Sequence, residues 1–205
     1  MKTINIAIDG PAGAGKSSIA REVASQLGFV YVDTGALYRA TALFSLEYST
    51  REEFLKALED DCHLELKYFG GTQCIFLNGD NVTEKIRTPE ISMKASEISA
   101  LPEVRAFLME LQRSLAREHS VIMDGRDIGT VVLPDAEVKV FLCADVETRA
   151  RRRFLELEQR DYNDTHRAAA PLRPADDAIM IDNTDMDFAA SLELLLDVIR
   201  GRVAS

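Results

Sequence analysis

Cysteine and histidine are scarce in this chain, at three each among 205 residues. Cys62, Cys74 and Cys143 lie far apart with no paired metal spacing, so the sequence supports neither a disulfide framework nor a zinc site. His63, His119 and His166 are isolated from one another and from the cysteines, which argues against metal ligation and leaves them as structural or exposed residues. No apolar stretch approaches the length of a membrane span, and no membrane partner is expected. The first apolar run begins at Ile4, leaving no room for a signal peptide, so a reducing cytoplasm is the expected location. Positive charge is also in deficit. A formal net charge of -10 opposes general nucleic-acid binding, because a polyphosphate chain would meet a mostly repulsive field.

What is present is an ordinary globular composition, 46% hydrophobic and 28% charged, long enough for one core domain plus an insert. The cations are concentrated: Arg149, Arg151, Arg152, Arg153, Arg160, Arg167 and Arg173 fall within one short stretch, which a phosphate-rich ligand would explain. Such a ligand has an evident seat. Gly10-Pro11-Ala12-Gly13-Ala14-Gly15-Lys16-Ser17, followed by Ser18, is a complete phosphate-binding loop between the apolar run Ile4 to Ile8 and a helical pattern. The glycines let backbone amides point inward, Lys16 reaches the outer phosphates, and the Ser17 hydroxyl can ligate magnesium. The helix start adds its positive dipole end.

Five short apolar runs read as buried strands: Ile4 to Ile8, Phe29 to Val32, Val121 to Met123, Lys139 to Cys143 and Ala178 to Ile181. Helical spacing separates most of them, in Ile19 to Leu27, Val104 to Leu115 and Phe188 to Val203, with Gly28 and Pro102 placed as a helix stop and a first-turn proline. The expected fold is therefore α/β of the P-loop NTPase kind, a parallel five-stranded sheet flanked by helices with ligands at the carboxyl ends of the strands. From about Leu43 to Ala100 the rhythm breaks. His63 to Tyr68 alternates, Gly70-Gly71 turns, Cys74 to Leu77 follows, and Asn78-Gly79 turns again, which reads as an inserted antiparallel hairpin. An arginine-rich helix is expected from Thr148 to Arg160.

Several residues stand where chemistry would need them. Asp124 ends the run Val121-Ile122-Met123, the arrangement that sets a carboxylate beside the magnesium of a phosphate loop. Arg126 and Asp127 follow, and they either pair with neighbours or act separately, Arg126 clamping phosphate oxygens and Asp127 accepting from an exocyclic amine. Arg39 lies one helical turn past a Gly35 bend as a second phosphate-binding group, and Thr34 reads as a helix N-cap, a ligand contact or both. Arg160, Asp164 and Arg167 share one helix face, as a surface ion-pair ladder or as cations awaiting anionic oxygens.

Taken together, these motifs resemble the bacterial cytidylate kinase family of nucleoside monophosphate kinases over nearly the whole chain. The resemblance rests on Ile8 to Ser17, Asp33-Thr34-Gly35 with Tyr38-Arg39, Ile86-Arg87-Thr88-Pro89, Asp124 to Thr130, and Arg167 with Ala170-Pro171-Leu172. It implies a core in 1–42, 101–150 and 169–205, a monophosphate-binding subdomain with a small antiparallel sheet in 43–100, and a lid in 151–168. By position it implies that Ser96, Arg105 and Asp127 read cytosine, whose exocyclic amine suits a carboxylate and whose carbonyl and ring nitrogen suit donors. It also implies that Arg39, Arg126 and Arg167 clamp the acceptor phosphate, that Arg160 and Asp164 contact the ribose, that Thr34 approaches the acceptor, and that Arg152 and Arg153 close over the donor. Residues 10–18 would bind ATP, with magnesium at Ser17 and Asp124.

In one respect the chain departs from the family. The usual polar lid segment has no counterpart between Glu158 and Gln159, and the stretch after Tyr48 is short. Either the lid is short in this protein, or lid residues are missing from this sequence; the tendency of lids to disorder favours the second reading. The expected reaction is transfer of the γ-phosphoryl group of ATP to CMP or dCMP by a monomer, with Lys16, Arg126, Arg152, Arg153 and Arg167 carrying the catalysis. The rivals are a P-loop kinase for UMP, AMP or a shikimate-like anion, and a P-loop switch or ATPase. The last is disfavoured by the lack of an Asn-Lys-x-Asp motif and by Gly125, rather than a glutamate, after Asp124.

Overall fold

The computed structural model describes residues 3–145, 147–149 and 164–203. They form two compact units, one of residues up to Val32 and from Arg113 onward, the other from Asp33 to Gln112.

The first unit is built on the expected parallel sheet. Its strands are β1 (Asn5–Asp9), β2 (Val30–Asp33), β6 (Val121–Gly125), β7 (Val138–Cys143) and β8 (Ile179–Asp182), in the order β2-β6-β1-β7-β8. β1 pairs in parallel with β6 on one side and β7 on the other, with Asp9 opposite both Gly125 and Phe141. The strand order thus changes direction around β1, and the crevice at the carboxyl ends of such strands is where doubly wound sheets place ligands. Ile6, Ala7, Ile8, Ile122 and Met123 are fully buried, which is why these runs carry almost no alternation. Helix α1 (Lys16–Leu27) and the C-terminal helix α6 (Phe188–Val203) pack against each other, and Ile19, Val23, Leu195 and Ile199 complete one core with the strands. Gly28 ends α1 at φ 69°, as its position suggested.

The second unit has its own core. Helix α2 (Thr34–Ser45) packs on α4 (Pro89–Ile98), and Leu37, Phe44, Leu58, Ile75, Ile86 and Leu108 bury their side chains together. The predicted hairpin is present as β3 (Leu64–Phe69) and β4 (Thr72–Leu77), extended by the short β5 (Asp80–Asn81) into a three-stranded antiparallel sheet.

Two helices here were not anticipated. Helix α3 (Arg51–Asp60) has a reciprocal capping box between Thr50 and Glu53, and α4 has a Thr88 N-cap with Pro89 in its first turn. Both start signals are in the sequence, but each helix is only 10 residues long, too short for a persistent 3.6-residue pattern. A longer helix, α5 (Pro102–Glu118), follows and does begin at the predicted proline.

Candidate active site

The phosphate loop owes its shape to glycine at its first position. Gly10 has φ 145°, and a Cβ there would stand 2.0 Å from the Leu142 carbonyl oxygen, so no other residue fits between β1 and β7. At the far end Gly15 adopts the left-handed conformation at φ 95° and starts α1. No acidic residue sits in the first turn of α1, which leaves its positive end without an internal counter-charge there.

The loop carbonyls are held by donors. Lys16 Nζ donates to Pro11 O at 2.7 Å, Arg149 Nη1 to Ala12 O at 3.1 Å, and Asn183 Nδ2 to Ala14 O at 3.0 Å. Engaging the carbonyls in this way orients the peptide planes of the loop. The Arg149 guanidinium, counted from sequence among the phosphate-seeking arginines, is buried and also donates from Nε to Ala144 O at 3.1 Å. Sequence reading missed the part played by Asn183, whose type and position carry no motif.

Ser17 and Asp124 come together as predicted. The Ser17 hydroxyl donates to Asp124 Oδ2 at 2.6 Å, and Tyr31 donates its hydroxyl to Asp124 Oδ1 at 3.2 Å. Asp124 and Tyr31 are buried, on the neighbouring strands β6 and β2. An oxygen pair of the Ser17–Asp124 kind suits magnesium, which takes one or two protein oxygens and fills its shell with phosphate and water. The contribution of Tyr31 was missed because an apolar strand with a tyrosine reads simply as core.

Beyond β6 the chain enters a π-helical turn (Ile128–Val132), with Arg126 and Asp127 at its entrance. Arg126 Nε donates to Asp164 Oδ2 at 2.8 Å, and Arg167 Nη2 donates to Asp127 Oδ1 at 3.3 Å. Arg167 Nε also donates to Ala170 O at 2.6 Å. This corrects the expected face shared by Asp164 and Arg167. Helical geometry covers 164–166 and stops before Arg167, so the two residues turn instead to Arg126 and Asp127 in crossed acid–base pairs. All four side chains are largely buried, which puts these pairs well beyond the solvent-screened class. Arg152, Arg153, Arg160 and the Glu158–Gln159 junction lie outside the described residues.

Asp9, the last residue of β1, stands in the motif Ile8 to Ser17 but was given no role from the sequence. Its carboxylate accepts from the Ile128 and Gly129 amides, each at 2.8 Å. Burial pushes its pKa up from 3.8 to about 6, with the Asp127 charge adding to the rise and the two amides and Lys16 opposing it.

In the second unit Asp33, not Thr34, caps α2: its Oδ1 accepts from the Ala36 amide at 2.9 Å. Thr34 is the first helical residue, buried, and Gly35 lies inside the first turn, so the expected bend before Arg39 is absent. Arg39 Nη2 donates to Asp33 Oδ2 at 3.0 Å, and Arg87 approaches the same oxygen at 3.6 Å. Gln73 brackets the Asp33 backbone, accepting from its amide at 2.9 Å and donating to its carbonyl at 3.3 Å. Arg105 is buried, lies 6.0 Å from the Tyr38 ring centroid and donates to Ser99 O at 3.4 Å. Five buried side-chain polar atoms have no hydrogen-bond partner among the described residues, and two of them, Arg39 Nε and Ser96 Oγ, carry a proton to donate. An unsatisfied buried donor is costly, and a bound ligand is one way to satisfy it.

The family model described as cytidylate kinase matches residues 6–201. The cytidylate kinase of Caldicellulosiruptor saccharolyticus is 49% identical over 217 aligned positions, covering 97% of this chain and 96% of that protein. That of Desulfitobacterium hafniense is 46% identical over 221 positions, covering 98% of this chain and 95% of its own. Both alignments are longer than the chain, so these relatives carry residues with no counterpart here. Among solved structures, an uncharacterized protein from Eubacterium ventriosum superposes with a TM-score of 0.51 at 14% identity, covering 98% of this chain and all of that one, a likeness of fold. On the family match and on these relatives, the chain belongs to the cytidylate kinase family.

Proposed function

We propose that this protein transfers the γ-phosphoryl group of ATP to CMP or dCMP, releasing ADP and the corresponding diphosphate. The observation that carries this reading is the course of one strand end: β6 delivers Asp124 to Ser17 of the phosphate loop and, two and three residues on, Arg126 and Asp127. Groups suited to a metal–triphosphate and groups suited to a phosphate and an amine thus share one rigid root.

The acceptor phosphate is already an anionic nucleophile, so no covalent intermediate and no strong base is required. Catalysis reduces to positioning two polyanions and neutralising their repulsion. Residues 10–18 hold the ATP phosphates, and Lys16 leaves Pro11 O to reach the outer ones. Ser17 and Asp124 would hold magnesium, which would supply positive charge against the donor phosphates. Arg39, Arg126 and Arg167 bind the acceptor phosphate, and their present carboxylate partners are the sites from which a dianion would draw them. Ser96, Arg105 and Asp127 read the base, and the unpaired Ser96 hydroxyl supports that assignment. Thr34 contacts the acceptor, Asp164 and Arg160 the ribose, and Arg152 and Arg153 act on the donor from the lid. We place the enzyme in the cytoplasm and take it to act as a monomer; among the described residues no helix is long and apolar enough to cross a membrane.

A coupled ADP-release assay with ATP, magnesium and each of CMP, dCMP, UMP and AMP tests this reading. CMP and dCMP are expected to be the efficient acceptors. Comparable rates with AMP would overturn the assignment of the base readers.

A further inference from the structure

We infer that Asp9 is a positioning residue for the acceptor: its carboxylate, at the root of the phosphate loop, holds the backbone that carries Arg126 and Asp127. This inference rests on the proposal that Arg126 and Asp127 bind the monophosphate.

The geometry is two-pronged. Oδ1 accepts from the Ile128 amide and Oδ2 from the Gly129 amide, both at 2.8 Å, in a place that leaves Asp9 only 3% exposed. These amides open the π-helical turn, where backbone donors have no acceptor within the turn itself. A carboxylate taking both makes two charge-assisted bonds, stronger than those a neutral side chain would make. The other end of the turn is also tied down. Arg113 donates from Nε to Val132 O at 2.9 Å and from Nη2 to Val131 O at 3.0 Å. Asp127 immediately precedes the first clamp and Arg126 stands one residue further back, so both side chains project from a backbone that is fixed before any ligand arrives.

The contact is close on every side. A Cβ on Gly129 would stand 3.2 Å from Lys139 Cδ and 3.4 Å from Asp9 Oδ2. Asp9 is also the residue after which the loop begins, so one side chain joins the backbone of the donor loop to the backbone of the acceptor readers. If its purpose were only to close the sheet, an apolar residue like its fully buried neighbour Ile8 would serve without burying a charge.

Asp9→Asn tests this in the full-length protein. Asparagine keeps one acceptor oxygen and turns an amide group toward the second N–H, so one of the two bonds is lost while volume is preserved. Expected are a rise in KM for CMP of about tenfold and a fall in CMP-over-UMP preference of similar size. The KM for ATP should change by less than about twofold, with the far-ultraviolet circular dichroism of the wild type retained. A variant that melts earlier but keeps both KM values and the base preference would overturn the inference, as would an equal rise in KM for ATP and CMP. Wild-type enzyme that fails to phosphorylate CMP in the same assay would sink the functional reading itself, whereas an active wild type with an unaltered variant sinks only the role of Asp9. Should Asp9→Asn not fold, Gly129→Ala carries the test. Its added methyl group crowds the Lys139 side chain and stands against the Asp9 carboxylate, and it is expected to raise KM for CMP selectively; unchanged constants would again count against the inference.

Discussion

Arg126 and Asp164 are joined across thirty-eight positions of sequence by a hydrogen bond of 2.8 Å from guanidinium Nε to carboxylate Oδ2. The pair is buried, so removing one partner strands the other charge. Asp164→Ala is therefore expected to destabilise the protein by about 3 kcal/mol in urea unfolding, and the double variant Arg126→Ala/Asp164→Ala to recover part of that loss. Strictly additive losses would mean that the two residues do not interact in solution.

Lys16 is buried and held to the loop carbonyl of Pro11, a resting place from which its ammonium can move to a triphosphate. Lys16→Ala is expected to lower kcat by about 100-fold to 1,000-fold or more while the circular dichroism spectrum stays that of the wild type. Turnover at the wild-type rate would refute the role given to this residue.

Asp127 differs in role from its neighbour, because a carboxylate repels phosphate and attracts an amine. Its replacement by alanine should chiefly raise KM for CMP and narrow the gap between CMP and UMP, each by about tenfold, with kcat less affected. Competition between the two acceptors in one reaction gives the ratio directly. An unchanged ratio removes Asp127 from base reading.

Tyr31 reaches the oxygen of Asp124 that Ser17 leaves, and so sets the orientation of that carboxylate. Tyr31→Phe should raise the magnesium concentration needed for half-maximal rate by about tenfold, and weaken calorimetric binding of magnesium–ATP in the absence of acceptor. Wild-type magnesium dependence in both measurements would show that Asp124 needs no such support.

The Asp9 carboxyl has a folded-state pKa of about 6 against an ordinary value of 3.8. The folded state therefore holds this proton more tightly than the unfolded chain does. The associated stabilisation is complete below about pH 4 and is lost as pH rises toward and through 6. It amounts to about 3 kcal/mol. Measured by urea unfolding, the stability of the wild type relative to Asp9→Asn should decline across that interval and level off above it. A difference independent of pH between 4 and 7 would contradict the raised pKa.

The sequence by itself was enough for the sheet, the phosphate loop and the pairing of Ser17 with Asp124. The central strands β1 and β6 are buried on both faces and therefore appear as continuous apolar runs, and the loop requires particular residues at particular spacings because phosphate is bound by backbone amides. The same holds for α1, α5 and α6, whose apolar stripes repeat over at least three turns. Tertiary structure decided what depends on distant partners. Whether Arg126, Asp127, Asp164 and Arg167 form a local ladder or crossed pairs turns on where the helix at 164–166 ends, and sequence spacing does not determine that. Asp33 took the cap from Thr34 because either side chain can accept an amide, and the backbone path out of β2 selects between them. Tyr31 and Asn183 belong to no motif, and Asp9 lies within one that gives it no role of its own. Each acts through a single long-range hydrogen-bonding arrangement, and such an arrangement exists only once the fold has brought its two ends together.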